Sequence, residues 1–351
     1  MPTYEYTCRD CGHTFDIVQS MWDESLTMCP ECGGSLRKVF APPAISFKGS
    51  GFYATDHGKK SKASAEARSD GEKSEKTADA TKATPKEMLP VVDTPAIQLV
   101  VEEAVRAGIT DILMVTGRGK RSIEDHFDRS AELEHFLEAK GKFDELKQVR
   151  AIAELASIYY TRQRDPLGLG HAIACAETHV GDKPFVVMLP DDLVRPKTPL
   201  LDRLLKVHER YGRSVLAAIE VGRDEASLYG MIEPEPVEED LVRIVSIIEK
   251  PAPERSPSTL AAIGRYVFTP KIFDALRETP PGHGGEIQLT DAINLLAQEQ
   301  AVYALTFEGR FDVGNKFDYL RATVELALDR DDIGPQFKAY LAELARRERL
   351  G

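Results

Sequence analysis

The chain has 351 residues, 42% of them hydrophobic and 29% charged, with a formal net charge of −12. That length suits two or three domains, and the acidic balance excludes a general nucleic-acid surface while leaving room for a local one. No apolar run approaches membrane-spanning length, and Met1-Pro-Thr-Tyr-Glu-Tyr6 lacks the basic and apolar regions of a signal peptide, so no membrane partner is expected and the cytoplasm is the default location.

Four of the five cysteines fall within the first 32 residues. Cys8-Arg-Asp-Cys11 and Cys29-Pro-Glu-Cys32 are C-x2-C pairs 17 residues apart, the spacing of a closed four-thiolate Zn²⁺ site, structural rather than catalytic. A pair of redox motifs is the competing reading. Gly12, Gly33 and Gly34 permit the turns behind the thiolates, and alternation over Thr3–Thr7 and His13–Val18 predicts hairpin strands. A core this small depends on the metal to fold. Residues 1–56 resemble the FmdB-type zinc ribbons, from Met1-Pro-Thr-Tyr-Glu-Tyr6 through both cysteine pairs to Phe47-Lys-Gly-Ser-Gly-Phe-Tyr53. The resemblance implies a binding module whose partner is a nucleic acid or a protein. Lys48, Phe52 and Tyr53 are open to two readings, a base-stacking contact or a turn packed on the ribbon.

Between Ala54 and Thr84 every apolar side chain is an alanine. Such a stretch cannot bury a core, so the expected layout is a ribbon over 1–55, a disordered charged linker over 56–80, and a larger domain over 81–351. In that domain Pro85 and Pro90 predict an extended segment around Lys86. A helix is predicted from about Pro95 to Ala107, with Ile97, Val100, Val101, Ala104 and Val105 on one face. A strand over Asp111–Thr116, a helix starting at Ser122, helical structure over 131–155 and a strand over Ser157–Gln163 follow. The alternation predicts a Rossmann-like α/β fold with a mixed, mostly parallel sheet.

Phe185-Val-Val-Met-Leu189, bounded by Pro184 and Pro190, predicts a short strand buried on both faces. It delivers Asp191 and Asp192 beyond its carboxyl end, where ligands of open α/β sheets bind. A carboxylate there is a natural ligand for Mg²⁺, which in turn holds phosphates; the plainer alternative is an Asp that starts a turn.

Several further motifs occur in order: Pro85-Lys-Glu-Met-Leu-Pro-Val-Val-Asp-Thr-Pro-Ala-Ile-Gln98, Gly168-Leu-Gly-His-Ala172, Leu189-Pro-Asp191, Tyr229-Gly230, Glu249-Lys-Pro251, Gly264-Arg-Tyr266, Glu286-Ile-Gln-Leu-Thr-Asp-Ala292 and Phe311-Asp-Val-Gly-Asn315. Together they resemble the bacterial UTP–glucose-1-phosphate uridylyltransferases over about residues 81–345. The resemblance implies Mg²⁺-dependent transfer of UMP from UTP to glucose 1-phosphate, giving UDP-glucose and pyrophosphate. It implies Asp191 and Asp312 as Mg²⁺ ligands, Lys86 and Lys250 as cations against the phosphates, and Glu249 as acceptor for sugar hydroxyls. Gln163 and the backbone at Gly168 would read the uracil edge, and Gly230 would let the sugar approach closely. A homo-oligomer is also implied. On their own, Glu249-Lys250 is equally an exposed ion pair, Gly168-Leu-Gly170 a helix-entry turn, and Cys175 a core residue. The family's first strand and Gly-x-Gly-Thr-Arg loop are missing upstream of Thr81. Two readings follow: an enzyme carrying an appended ribbon, or a ribbon-based binding protein carrying an inactive remnant.

Overall fold

The structure is a computed structural model that describes residues 3–8, 10–18, 26–39 and 85–349. The expected linker over 56–80, together with Lys48, Phe52 and Tyr53, lies outside the described residues. The chain divides into two compact units, Met1–Lys48 and Gly49–Gly351.

In the first unit, β1 (Thr3–Cys8) pairs antiparallel with both β2 (Thr14–Val18) and β3 (Leu36–Val39). The third strand was not predicted. Tyr6 is fully buried between them, and its hydroxyl accepts a hydrogen bond from the Leu26 amide at 3.2 Å. One buried ring gives little apolar burial, which is why the cross-link through the cysteines matters.

The second unit begins with a 3₁₀ turn over Lys86–Met88, so Lys86 is not extended as predicted. Pro85 (φ −53°) enters the turn, where its missing N–H costs nothing, and its carbonyl accepts from the Met88 amide at 2.9 Å. The ribbon β4 (Pro90–Val91) and β5 (Thr94–Pro95) leads into α1 (Ala96–Arg106). Ile97, Val100, Val101 and Ala104 are buried along one stripe of α1, as their spacing requires. Next come β6 (Asp111–Thr116), α2 (Arg121–Phe127), α3 (Ala131–Ala139), α4 (Phe143–Ala153) and β7 (Ser157–Arg162). Strands β6 and β7 pair in parallel as a two-stranded sheet.

The chain continues through α5 (Gly168–Ala174), α6 (Glu177–Val180), β8 (Phe185–Met188), β9 (Asp192–Val194), α7 (Leu200–Tyr211) and β10 (Val215–Glu220). Then follow β11 (Gly230–Pro236), β12 (Leu241–Glu249), β13 (Leu260–Phe268), α8 (Lys271–Glu278), α9 (Leu289–Glu299), β14 (Tyr303–Thr306) and β15 (Arg310–Asp312). Helices α10 (Lys316–Leu328) and α11 (Gly334–Glu348) close it. The larger sheet has the order β10-β14-β12-β11-β13-β8, with β10 also pairing β13.

The fold is α/β with a mixed sheet, but the expected parallel majority is not observed among the described strands. In the larger sheet β10–β14 is parallel, and the other described pairings are antiparallel. One of these pairings has a local cause: Gly230–Pro236 and Leu241–Glu249 are joined by a short turn, and a hairpin can pair only antiparallel.

Both faces of the sheet are covered, and β10 shows it by alternation. Leu216 and Ala218 join Phe268, Ile272, Leu289 and Ile293 on one face. Val215 and Ala217 join Leu200, Leu204 and Leu305 on the other. Strand β8 departs from expectation. Its four residues are half-buried, because among the described strands only β13 pairs with it. No helix among the described residues is long and apolar enough to cross a membrane.

Candidate active site

In the larger unit the site forms where β8 ends. Asp191 closes the turn between β8 and β9, Asp192 opens β9, and β9 pairs antiparallel with β15 so that Asp192 lies opposite Asp312. The Val313 amide donates to the Asp191 carbonyl at 2.9 Å. Two segments over 110 residues apart thereby bring three carboxylates together.

The acids have separate environments. Asp192 points inward: its carboxylate accepts from the Gly264 amide at 2.8 Å and from Arg310 Nε at 2.6 Å. Asp191 faces the cleft, 2.6 Å from Lys86 Nζ. Burial pulls the Lys86 ammonium down, but the charge and hydrogen bond of Asp191 outweigh it and hold Lys86 above its ordinary value. Burial pushes the Asp312 carboxyl above the usual range; Arg310 opposes this, while Asp192 and Asp191 add to it. Arg310 is engaged mainly by Asp192, which leaves Asp191 and Asp312 as oxygen donors of the hard kind at the end of β8.

Lys86 is held through its neighbour. Glu87, 8% exposed, accepts from Lys120 Nζ at 2.7 and 2.9 Å, which ties the 3₁₀ turn to the loop after β6.

A second group lies around α5 and the ends of β11 and β12. Gln163 is buried, and its Nε2 lies 3.1 Å from the Gly168 carbonyl and 2.8 Å from His171 Nδ1. Gly168 has φ +91°, and a Cβ there would come within 2.8 Å of Glu286 Cβ, so the residue is required by both conformation and space. Gly230 and Glu249 are paired across β11 and β12. A Cβ on Gly230 would lie 2.9 Å from Thr290 Cγ2 and 3.4 Å from Glu249 Oε2. Burial raises the Glu249 carboxyl above its usual range, with Lys250 opposing. Lys250 takes φ +45°, an uncommon conformation for a side chain with a Cβ, and its amide donates to the Tyr229 carbonyl at 2.9 Å. Its ammonium is 3.7 Å from Glu249. Cys175 is half-buried at the end of α5.

Two arginines without a predicted role organise this region. Arg265 is fully buried. It pairs with Glu103 at 2.8 Å and donates to the carbonyls of Leu189, Gly264 and Asp192 at 3.0, 3.1 and 2.7 Å. Its signal in the sequence was a single charge inside Leu260-Ala-Ala-Ile-Gly-Arg-Tyr-Val-Phe268. Arg310 is 9% exposed on its side chain and bridges Asp192 and Asp312; nothing in its local sequence marked it.

In the ribbon, ligand atoms of Cys8, Cys11, Cys29 and Cys32 lie within 4.8 Å of one another. The Asp10 and Gly34 amides each donate to a cysteine sulfur at 3.4 Å, and Asp10 accepts from the Ser35 amide at 2.8 Å, joining the two turns. The Cys11 amide leads in lowering Cys8 to about 7. The Gly34 amide favours the Cys32 thiolate too, but the crowding of Cys11 and Cys8 pushes Cys32 up to about 12. Four thiolates this close need a cation to coexist, and the all-sulfur set suits Zn²⁺.

Comparison with known proteins agrees with both units. Residues 1–40 match the zinc ribbon domain family, and residues 73–328 match the nucleotidyl transferase family. The chain is 48% identical over 270 residues to the UTP–glucose-1-phosphate uridylyltransferase YngB of Bacillus subtilis, covering 77% of this chain and 91% of that protein. It is 48% identical over 266 residues to the Staphylococcus epidermidis UTP–glucose-1-phosphate uridylyltransferase, covering 76% and 92%. Among solved structures, a UTP-bound UGPase from Acinetobacter baumannii superposes with a TM-score of 0.69 at 41% identity, covering 76% of this chain and 93% of that one. A UDP-glucose pyrophosphorylase complexed with UDP-glucose gives 0.65 at 42% identity, covering 72% and 94%. The chain therefore belongs to the nucleotidyl transferase family, among the UTP–glucose-1-phosphate uridylyltransferases, and carries a zinc ribbon domain ahead of that fold.

Proposed function

We propose that the larger unit transfers UMP from UTP to glucose 1-phosphate. A phosphate oxygen of the sugar phosphate attacks the α-phosphorus of UTP, the bond to the β-phosphate oxygen breaks, and pyrophosphate leaves. Such a displacement asks little covalent work of a protein; positioning and charge neutralisation do most of it. The observation that carries the reading is the convergence of Lys86, Asp191 and Asp312 at one cleft.

Asp191 and Asp312 would hold Mg²⁺, which supplies charge neutralisation on the phosphates. Lys86 leaves Asp191 in part to meet a phosphate oxygen, and Lys250 serves a second phosphate group. Glu249 accepts from sugar hydroxyls, and Gly230 keeps the β11 backbone open beside it. Gln163 and the Gly168 backbone read the uracil edge. Zn²⁺ on Cys8, Cys11, Cys29 and Cys32 is structural. The reading includes the cytoplasm as location and a homo-oligomer, which light scattering checks.

The second reading, an inactive relative whose binding role lies in the ribbon, is favoured by one observation: no Gly-x-Gly-Thr-Arg loop precedes Lys86 in the sequence. Backbone amides of such a loop are a main phosphate cradle. Pyrophosphate release by the full-length, zinc-loaded protein with UTP, glucose 1-phosphate and Mg²⁺ separates the two. Turnover that Asp191→Ala abolishes supports the enzyme, and a folded protein without turnover refutes it.

A further inference from the structure

A cavity of about 580 Å³ lies between β6 and β8. Every residue of both strands lines it, odd and even alike. A cavity against one face of a strand meets alternate residues; one that meets all of them lies against the strand's edge.

The two edges run in the same direction. Asp111, the first residue of β6, is bonded to His179, in the helix just before β8, at 3.0 Å. At the other end Lys120, just after β6, grips Glu87, while Lys86 grips Asp191, just after β8. The starts of the strands are therefore bridged to each other, and so are their ends. Helices cover both faces. Ile97 and Val101 of α1 pack with Met114 on one side of the layer, and Leu169 and Ile173 of α5 pack with Phe185 and Val187 on the other.

The hydrogen-bonding groups that face the cavity can be named. The Thr110 and Thr116 carbonyls accept from the amides of Ser157, the first residue of β7, and Gln163, just after it, so the alternate residues Leu113 and Val115 direct their N–H and C=O groups away from β7. The Leu189 amide donates to Gly264 of β13, so by the same alternation Val186 and Met188 direct theirs away from β13. No strand among the described residues pairs with either edge.

We propose that this cavity is a receptor for one extended apolar strand contributed by a separate polypeptide, pairing with β6 and β8 at once. The span of β6 sets its length at six residues. Helices on both faces set its chemistry, a continuous apolar run rich in Val and Ile rather than an alternating one. The segment of this chain that leads to Lys86 does not meet that requirement, since between Ala54 and Thr84 it offers no apolar side chain larger than alanine. The proposal concerns strand pairing and stands whether or not the cleft turns over UTP.

The probe is a fluorescein-labelled peptide, Lys-Lys-Val-Ile-Val-Ala-Val-Ile-Lys, titrated into the full-length zinc-loaded protein by anisotropy. Amide exchange is read alongside, with a Ser/Asp-interrupted peptide as control. The expected result is saturable binding with exchange at the Leu113, Val115, Val186 and Met188 amides slowed by at least about tenfold, and no effect of the control. Ala172→Trp, which fills the cavity from α5, weakens binding. Absence of saturable binding, or binding that leaves those four amides unprotected, overturns the proposal. So does finding them already protected in the isolated protein, which would show that a segment of this chain, or a second copy, covers both edges.

Discussion

Replacing Arg310 with methionine is the sharpest test of how the acids are organised. Arg310 is almost out of water and holds Asp192, itself 5% exposed, through Nε at 2.6 Å and its terminal nitrogen at 2.5 Å. It also donates to the Tyr229 hydroxyl at 3.0 Å. Methionine keeps most of the volume and removes the charge, leaving Asp192 a buried carboxylate with the Gly264 amide as its remaining described partner. Breaking a buried pair from one side costs about 3–5 kcal/mol; because the Gly264 bond survives, the lower end applies. For a domain of this size that is a fall in Tm of roughly 6–12 °C, read by circular dichroism at neutral pH. Adding Asp192→Asn removes the stranded charge while keeping an oxygen for Gly264, so the double variant should regain about half the loss or more. A fall in Tm below about 2 °C, or a double variant whose losses simply add, would refute the argument that Arg310 and Asp192 are a desolvated pair.

Lys86→Met should lower kcat by about 10²–10³ while moving stability by less than about 1 kcal/mol, since the Lys86–Asp191 pair is partly exposed; an unchanged kcat counts against its role at the phosphates. Asp312 holds its proton at higher pH in the fold than in the unfolded chain, so its contribution to stability is complete below the unfolded carboxylate range and lost as pH rises through the folded value. Asp312→Asn should therefore melt above the wild type at pH 8, the gap closing toward pH 4, and Mg²⁺ should raise the melting temperature of the wild type more than that of the variant. Gly264→Ala would place a Cβ 2.5 Å from both Leu189 Cβ and Asp192 Oδ2, and a loss of about 1–3 kcal/mol is expected; a neutral result would mean that the turn can shift without cost. A colorimetric chelator assay should find about one zinc per chain, and Cys29→Ser should abolish it while leaving the far-ultraviolet spectrum of the larger unit unchanged.

What the sequence made legible was what is local. The C-x2-C pairs placed the thiolates, the spacing of Ile97, Val100, Val101 and Ala104 gave the buried stripe of α1, and Asp111–Thr116 read as the strand it is. Lys86 departs from the extended conformation that two flanking prolines suggest, because Pro85 serves equally well to open a 3₁₀ turn. The run Phe185–Met188 reads as a strand covered on both faces, and its composition is right for that; it is half-buried because among the described strands only β13 pairs with it, which no residue within it encodes. The antiparallel bias of the larger sheet follows from how strands are joined, and a pattern of helices and strands does not fix that. Arg310 and Asp192 are 118 positions apart, so neither residue announces the other, whereas Arg265 could have been singled out as a lone charge in an apolar strand.

Arg265 also fixes the frame to which the cleft is referenced. The Leu189–Asp192 turn is delivered by β8, yet its Leu189 and Asp192 carbonyls are held by a side chain of β13, and Asp192 is bonded to the β13 backbone as well. The turn is thus moored to an interior strand with described neighbours on both sides, not to the strand at the rim. Loosening of the β8 edge need not be transmitted to Asp191 and Asp312. Amide exchange should show the turn opening with the main sheet and β6 opening earlier, so the geometry of the acids outlasts disorder in the strands beside them.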